Sequence, residues 1–100
     1  MSQIQHMVLL KFKPETSADK IADIFRDLEE LKGVIPGITY FSGGAYSSNK
    51  GLNKDYTHGF LMTFESATAR DAYVPHPAHE KVKAEILTCI DDVIAFDIEA

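Results

Sequence analysis

The sequence predicts an α+β fold in β-α-β-β-α-β order, and three observations carry that prediction. Four segments alternate apolar and polar residues with a period of two. Two regions between them repeat apolar residues every three to four positions, and polar, turn-forming stretches fall where such elements must be joined. In this order the strands form one antiparallel four-stranded sheet with the helical regions on one face, the ferredoxin-like arrangement. The 100 residues, 45% hydrophobic and 25% charged, suffice for one core, so residues 1–100 are read as a single domain.

The first strand runs from Ile4 to Phe12. Ile4, His6, Val8, Leu10 and Phe12 share one face, and Met7 and Leu9 share the other. Pro14 ends it. Thr16 or Ser17 then offers an N-cap to a helix whose Ile21, Ile24, Phe25, Leu28 and Leu31 recur at intervals of three and four, with Gly33 as its stop. The second strand spans roughly Ile38 to Tyr46, and Gly43 and Gly44 within it signal a bulge or a close backbone approach. Ser47 to Asp55 is a polar loop.

The third strand, Tyr56 to Glu65, sets Tyr56, His58, Phe60, Met62 and Phe64 on one side. Ser66 caps a short helix that runs through Tyr73 and must end there, because Pro75 disfavours helical geometry at Val74. Pro77 suits the first turn of a new helix, with Ala78, His79, Val82 and Ile86 on or near its inward stripe. In the last strand, Ile90 to Ile98, the alternation sets Ile90, Asp92, Ile94, Phe96 and Ile98 against Asp91, Val93, Ala95 and Asp97.

With the helices on one face, the other face of the sheet is left with Met7, Leu9, Leu61, Val93 and Ala95. An apolar face of that kind normally meets a partner, and a two-fold homodimer with its sheets face to face is the expected one. The net charge of -5 and the scattered Lys and Arg residues offer no footprint for a phosphate backbone, so no nucleic acid partner is expected. No 18-residue apolar span and no charged leader occur, so no membrane partner and no signal peptide are expected. The single cysteine, Cys89, excludes an intramolecular disulfide, and a cytoplasmic location follows as the expectation. No flavin, nicotinamide or haem signature is present, so no cofactor is expected.

The histidines hold the chemical interest. His6 and His58 point to the helix side from the two central strands, which makes them lateral neighbours if the register permits, and His79 approaches from the second helical region. One reading makes each a core histidine bonded to backbone or to a tyrosine. The other gathers the three rings, with Tyr73, around a polar-lined cavity walled by Val8, Leu10, Ile24, Leu28, Phe60 and Val74. In such a pocket His79 is the candidate general base. The Tyr73 hydroxyl would bond either its other nitrogen or a substrate carbonyl, which suits proton abstraction beside a carbonyl or the binding of a small phenolic ligand. No metal site is expected, because His76 stands at a helix cap and Glu80 should face solvent. Asp91, Asp92 and Asp97 read as edge charges that discourage aggregation.

The segments "HMVLLKFK", "YTHGFLMTFES", "YVPHPAHEKV" and "IAFDIE", spread over essentially the whole chain, resemble the stress-responsive dimeric α+β barrel (Dabb) family. The most specific part is the tyrosine followed by H-P-x-H at the start of a helix, supported by T-H-x-x-x-x-x-F-E-S and a histidine in the first strand. The resemblance implies a ferredoxin-like protomer that pairs with a second copy into a barrel. One plant member of the family is a polyketide cyclase acting by intramolecular aldol condensation. By that resemblance His79 matches the catalytic base, Tyr73 its hydrogen-bonding partner, and His6 and His58 pocket-lining histidines. Two functions stay open: a cofactor-free lyase or cyclase acting on a polyketide-like or phenolic molecule, and a non-catalytic stress-related binding or assembly protein.

Overall fold

The computed structural model describes residues 2–100. Its elements are β1 (Ile4–Phe12), α1 (Ala18–Glu30), β2 (Ile38–Ala45), β3 (His58–Phe64), α2 (Ala67–Tyr73), α3 (Pro77–Leu87) and β4 (Ile90–Glu99). The strands form one antiparallel sheet in the order β2-β3-β1-β4, with β1 and β3 central. This is the ferredoxin-like fold, with its second helical region split at the proline corner.

Local chemistry explains the helix boundaries. The Ser17 hydroxyl accepts from the Lys20 amide at 3.0 Å, and the Ser66 hydroxyl accepts from the Ala69 amide at 3.1 Å, so each satisfies an amide that the helix itself leaves unpaired. A single 3₁₀ turn over Leu31–Gly33 carries α1 to the glycine that ends it. At the corner, the His76 ring accepts from the Ala78 amide at 3.1 Å and Pro77 fills the first helical position, so His76 serves as the cap of α3. The core lies between the helices and the sheet, where Ile24 and Leu28 of α1 meet Leu10, Met62 and Phe64.

The faces of β4 differ from the simple alternation. Lys11 pairs with Asp92 but Phe12 pairs with Ile90, which leaves Asp91 as an extra residue in a β-bulge. Beyond the bulge every side chain changes face. Val93, Ala95 and Asp97 stand beside Leu10, Val8 and His6 on the helix side, not on the open face where Val93 and Ala95 are expected. Ile94, Phe96 and Ile98 take the open face beside Leu9, Met7 and Gln5, where Phe96 is 60% exposed. Two bonds to Asp92 hold the irregularity: the Tyr56 hydroxyl donates to its carboxylate at 2.7 Å, as does the Val93 amide at 2.9 Å. Asp92 is therefore a structural acceptor rather than a free edge charge. No helix among the described residues is long and apolar enough to cross a membrane.

The glycine signal in β2 resolves to a close approach. A Cβ on Gly43 would lie 2.7 Å from the Phe25 ring and 2.8 Å from the Phe60 Cβ, whereas one on Gly33 would meet nothing within 4 Å. Gly43→Ala should therefore lower the unfolding free energy by about 1–3 kcal/mol. Gly33→Ala should change it by less than about 1 kcal/mol. Urea unfolding of the two variants checks the contrast, and equal effects would contradict the packing.

Candidate functional site

A cavity of about 300 Å³ lies between the helix side of β1 and β4 and the helices α2 and α3. It exists because β4 extends past the cover of the helices: Val93, Ala95 and Asp97 face α2 and α3, yet no residue from 91 to 99 is buried. Val8, Leu10, Leu28, Phe60, Ile86 and Ala95 supply apolar wall, and His6, Arg70, Tyr73, His79, Lys83 and Asp97 supply the polar groups. Apolar walls with a few convergent polar side chains are the usual make-up of a small-molecule site, and this volume lies at the small end of the range.

Tyr73, at the end of α2, is 3% exposed. The proline corner returns the chain so that the His79 ring stacks on it, with centroids 4.0 Å apart and 29° between planes. The two side chains therefore meet through their faces and not through the expected hydrogen bond. His79 Nδ1 instead donates to the Val74 carbonyl at 2.9 Å. A carbonyl can only accept, so Nδ1 carries the proton and, in the neutral ring, Nε2 is left with its lone pair. Burial is the main cause that holds His79 below the ordinary imidazole range, against an upward pull from the Val74 carbonyl. Burial also pushes the Tyr73 phenol well above its ordinary value, so it stays a donor. No buried side-chain N or O among the described residues lacks a partner, so the unbonded Tyr73 hydroxyl is not sealed in but opens to the cavity.

Across from this pair stands His6 of β1. Its Nδ1 donates to Asp97 Oδ1 at 2.5 Å, and Arg70 of α2 donates to the other carboxylate oxygen at 2.9 Å. Burial acts to raise the Asp97 carboxyl, but the bonds from His6 and Arg70 outweigh it and the group sits below the usual carboxylate range. The His6 ring lies 6.0 Å from the Phe60 and Phe64 rings and 6.1 Å from the Tyr73 ring, centroid to centroid.

Eight of the ten expected site residues line this one cavity: His6, Val8, Leu10, Leu28, Phe60, Tyr73, Val74 and His79. His58 does not. In the β1–β3 register His6 stands opposite Met62 and His58 opposite Leu10, so the two histidines are separated along the sheet rather than lateral neighbours. The His58 ring packs edge-on to Phe12 and against Phe25, with Nδ1 2.9 Å from the Thr57 hydroxyl, and borders a separate depression with Tyr46 and Tyr56. Ile24 is also absent from the lining, because it is fully buried beneath it. Arg70, Lys83 and Asp97 are the polar additions, and Asp97 enters only because the bulge turns it inward. Among the described residues no three His, Cys, Asp or Glu side chains gather as a metal-binding group.

The model of the stress responsive A/B barrel domain (Dabb) matches residues 4–100. The chain belongs to this family. It is 33% identical to the stress-response A/B barrel domain-containing protein HS1 of Arabidopsis thaliana, over 94% of this chain and 86% of that protein. It is 32% identical to olivetolic acid cyclase of Cannabis sativa, over 76% of this chain and 75% of the cyclase. Among solved structures, a dimeric ferredoxin-like protein from Jannaschia sp. CCS1 superposes with a TM-score of 0.88 at 28% identity, covering 98% of this chain and 99% of that one.

Two histidines of this Dabb domain are depressed by burial, His58 at the aromatic cluster and His79 at the cavity. The unfolded chain therefore takes up protons first as pH falls below about 6.5, and stability that is present above that pH is lost below it. Urea unfolding between neutral pH and about pH 5 should show this decline, with a shallower slope in His58→Gln. An unchanged slope in the variant would contradict the burial of that ring.

Proposed function

We propose that the chain works as a homodimer in which each protomer uses the cavity as a cofactor-independent lyase or cyclase site for a small polyketide-like or phenolic molecule. The observation that carries this reading is the stacked Tyr73–His79 pair in the lining of an apolar cavity, with one hydroxyl donor and one imidazole nitrogen that have no bond within the chain. In proton abstraction beside a carbonyl, the C–H proton passes to His79 Nε2 and the electron pair moves toward the carbonyl oxygen. The Tyr73 hydroxyl donates a hydrogen bond to that oxygen as charge develops. The likeness to olivetolic acid cyclase supports the reaction class. The lone Cys89 suits the reducing cytoplasm in which we place the protein.

Self-association is supported by the open sheet face, where Leu9, Ile94, Phe96 and Ile98 are all exposed, and by the dimeric description of the Jannaschia relative. Sedimentation at micromolar concentration should give about twice 11.1 kDa, and Phe96→Asp should shift the protein to monomer. A monomeric wild type would refute the pairing.

Turnover is tested with a linear poly-β-keto thioester and detection of the cyclised product by mass spectrometry. His79→Ala should lower kcat/KM by about 10²–10⁴-fold. Tyr73→Phe should lower it by about 10²-fold. Wild-type binding without product across a panel of such thioesters and phenols would favour the alternative, a stress-related binding protein without turnover.

A further inference from the structure

Two cationic side chains line the cavity, and they are held differently. Arg70 is engaged by Asp97 and Asp71, each ion pair at 2.9 Å. Lys83 has no acid of the lining beside it: its ion-pair partner among the described residues is Glu80, one turn back on α3, at 3.4 Å, and the two side chains are 48% and 49% exposed. A half-exposed pair at this spacing is weak, because water screens it and two long side chains lose freedom to make it. Lys83 can therefore exchange Glu80 for another anion. Its place in α3 directs it toward the cavity, since His79, Lys83 and Leu87 follow at intervals of four along one row of the helix and all three line the space. The Glu80 oxygen that pairs with Lys83 also lies 3.9 Å from His79 Nδ1, so the ammonium stands close to that ring, and its charge opposes protonation there. Val74 and Leu87, lining residues that are half exposed, form the rim beside it.

We propose that Lys83 is a specificity-determining residue of the cavity, whose ammonium at the rim selects ligands that carry one carboxylate on an apolar body. The proposal rests on reading the cavity as a ligand site and adds the charge that the preferred ligand bears. Arg70 and Asp97 offset each other, so Lys83 supplies the uncompensated fixed charge of the lining, and one carboxylate matches it. A dianion such as a phosphate monoester would set a second negative charge in a space that already holds the Asp97 carboxylate, kept ionised by His6 and Arg70. The long lysine stem lies along apolar wall while its head stays at the rim, so a carboxylate bound there keeps part of its water. The apolar end of the ligand then enters first, toward Tyr73 and His79, and the contact sets the orientation of the ligand as well as its charge. No bond is made or broken at Lys83.

The probes are 2-naphthoate, its neutral counterpart 2-naphthamide, and 2-naphthyl phosphate, titrated into the intact protein at neutral pH and low salt. The chain has no tryptophan, so naphthalene fluorescence reads binding directly. Wild type should bind 2-naphthoate about tenfold tighter than 2-naphthamide, and the preference should shrink as salt is added. Lys83→Met should weaken 2-naphthoate by about tenfold and leave 2-naphthamide within about twofold, whereas Lys83→Arg, which keeps the charge, should retain the preference. Wild-type binding of the acid and the amide with equal affinity, a preference that survives Lys83→Met, or an equal loss of both probes in that variant would overturn the proposal and leave the pocket standing. Tighter binding of 2-naphthyl phosphate than of 2-naphthoate would overturn the assignment of a carboxylate. Failure of the wild type to bind any of the three would overturn the pocket reading itself.

Discussion

The extra residue in β4 is the constraint on which the two working faces of the molecule depend. Asp91 has no partner of its own in the β1–β4 ladder, and a one-residue insertion reverses the side on which each following residue projects. Ile90 therefore stays in the core beside Phe12, while Ile94, Phe96 and Ile98 turn to the open face and Val93, Ala95 and Asp97 turn beneath the helices. Without the bulge, Phe96 would fill the cavity and Asp97 would face outward. The irregularity is anchored at Asp92, which pairs with Lys11, accepts from Tyr56, and lies beside the Lys11 ammonium stationed 4.9 Å from the Tyr56 ring centroid.

That single shift divides the chemistry between the faces. Outward, it collects large apolar side chains on a strand with no helix to cover them, which is the condition for association with another sheet. Inward, it supplies a carboxylate to a cavity that otherwise has only imidazoles, a phenol and two cationic side chains. The imidazoles then differ in what holds them. His79 leans on a neutral backbone carbonyl, and His6 leans on a carboxylate shared with Arg70. Two rings of the same kind in one apolar space thus have unlike electrostatic surroundings.

Much of this was legible from local pattern. Period-two and period-four spacing located the elements, Ser17 and Ser66 marked helix starts through cap chemistry, and the P-H-P run marked the corner that brings His79 over Tyr73. What local pattern does not carry is register. His6 and His58 share a face of the sheet, but the ladder sets them far apart along it, and only the hydrogen-bonded pairing decides that distance. The turn of β4 has a faint signal, since Asp91 and Asp92 are adjacent polar residues in an otherwise alternating strand. A bulge requires a partner strand to be defined, so that signal becomes readable only beside β1. Ile24 illustrates a third limit: helical spacing shows which side of α1 is inward but not how deep each residue lies.

The face assignment of β4 is open to direct test by interstrand and side-chain NOEs in the isotopically labelled protein. The bulged register requires contacts from the His6 ring to the Asp97 side chain and to the Tyr73 ring, with Phe96 on the opposite face beside Met7. NOEs from the His6 ring to Phe96, with Asp97 remote from it, would contradict the bulge and with it both the inward placement of Asp97 and the apolar face assigned to self-association.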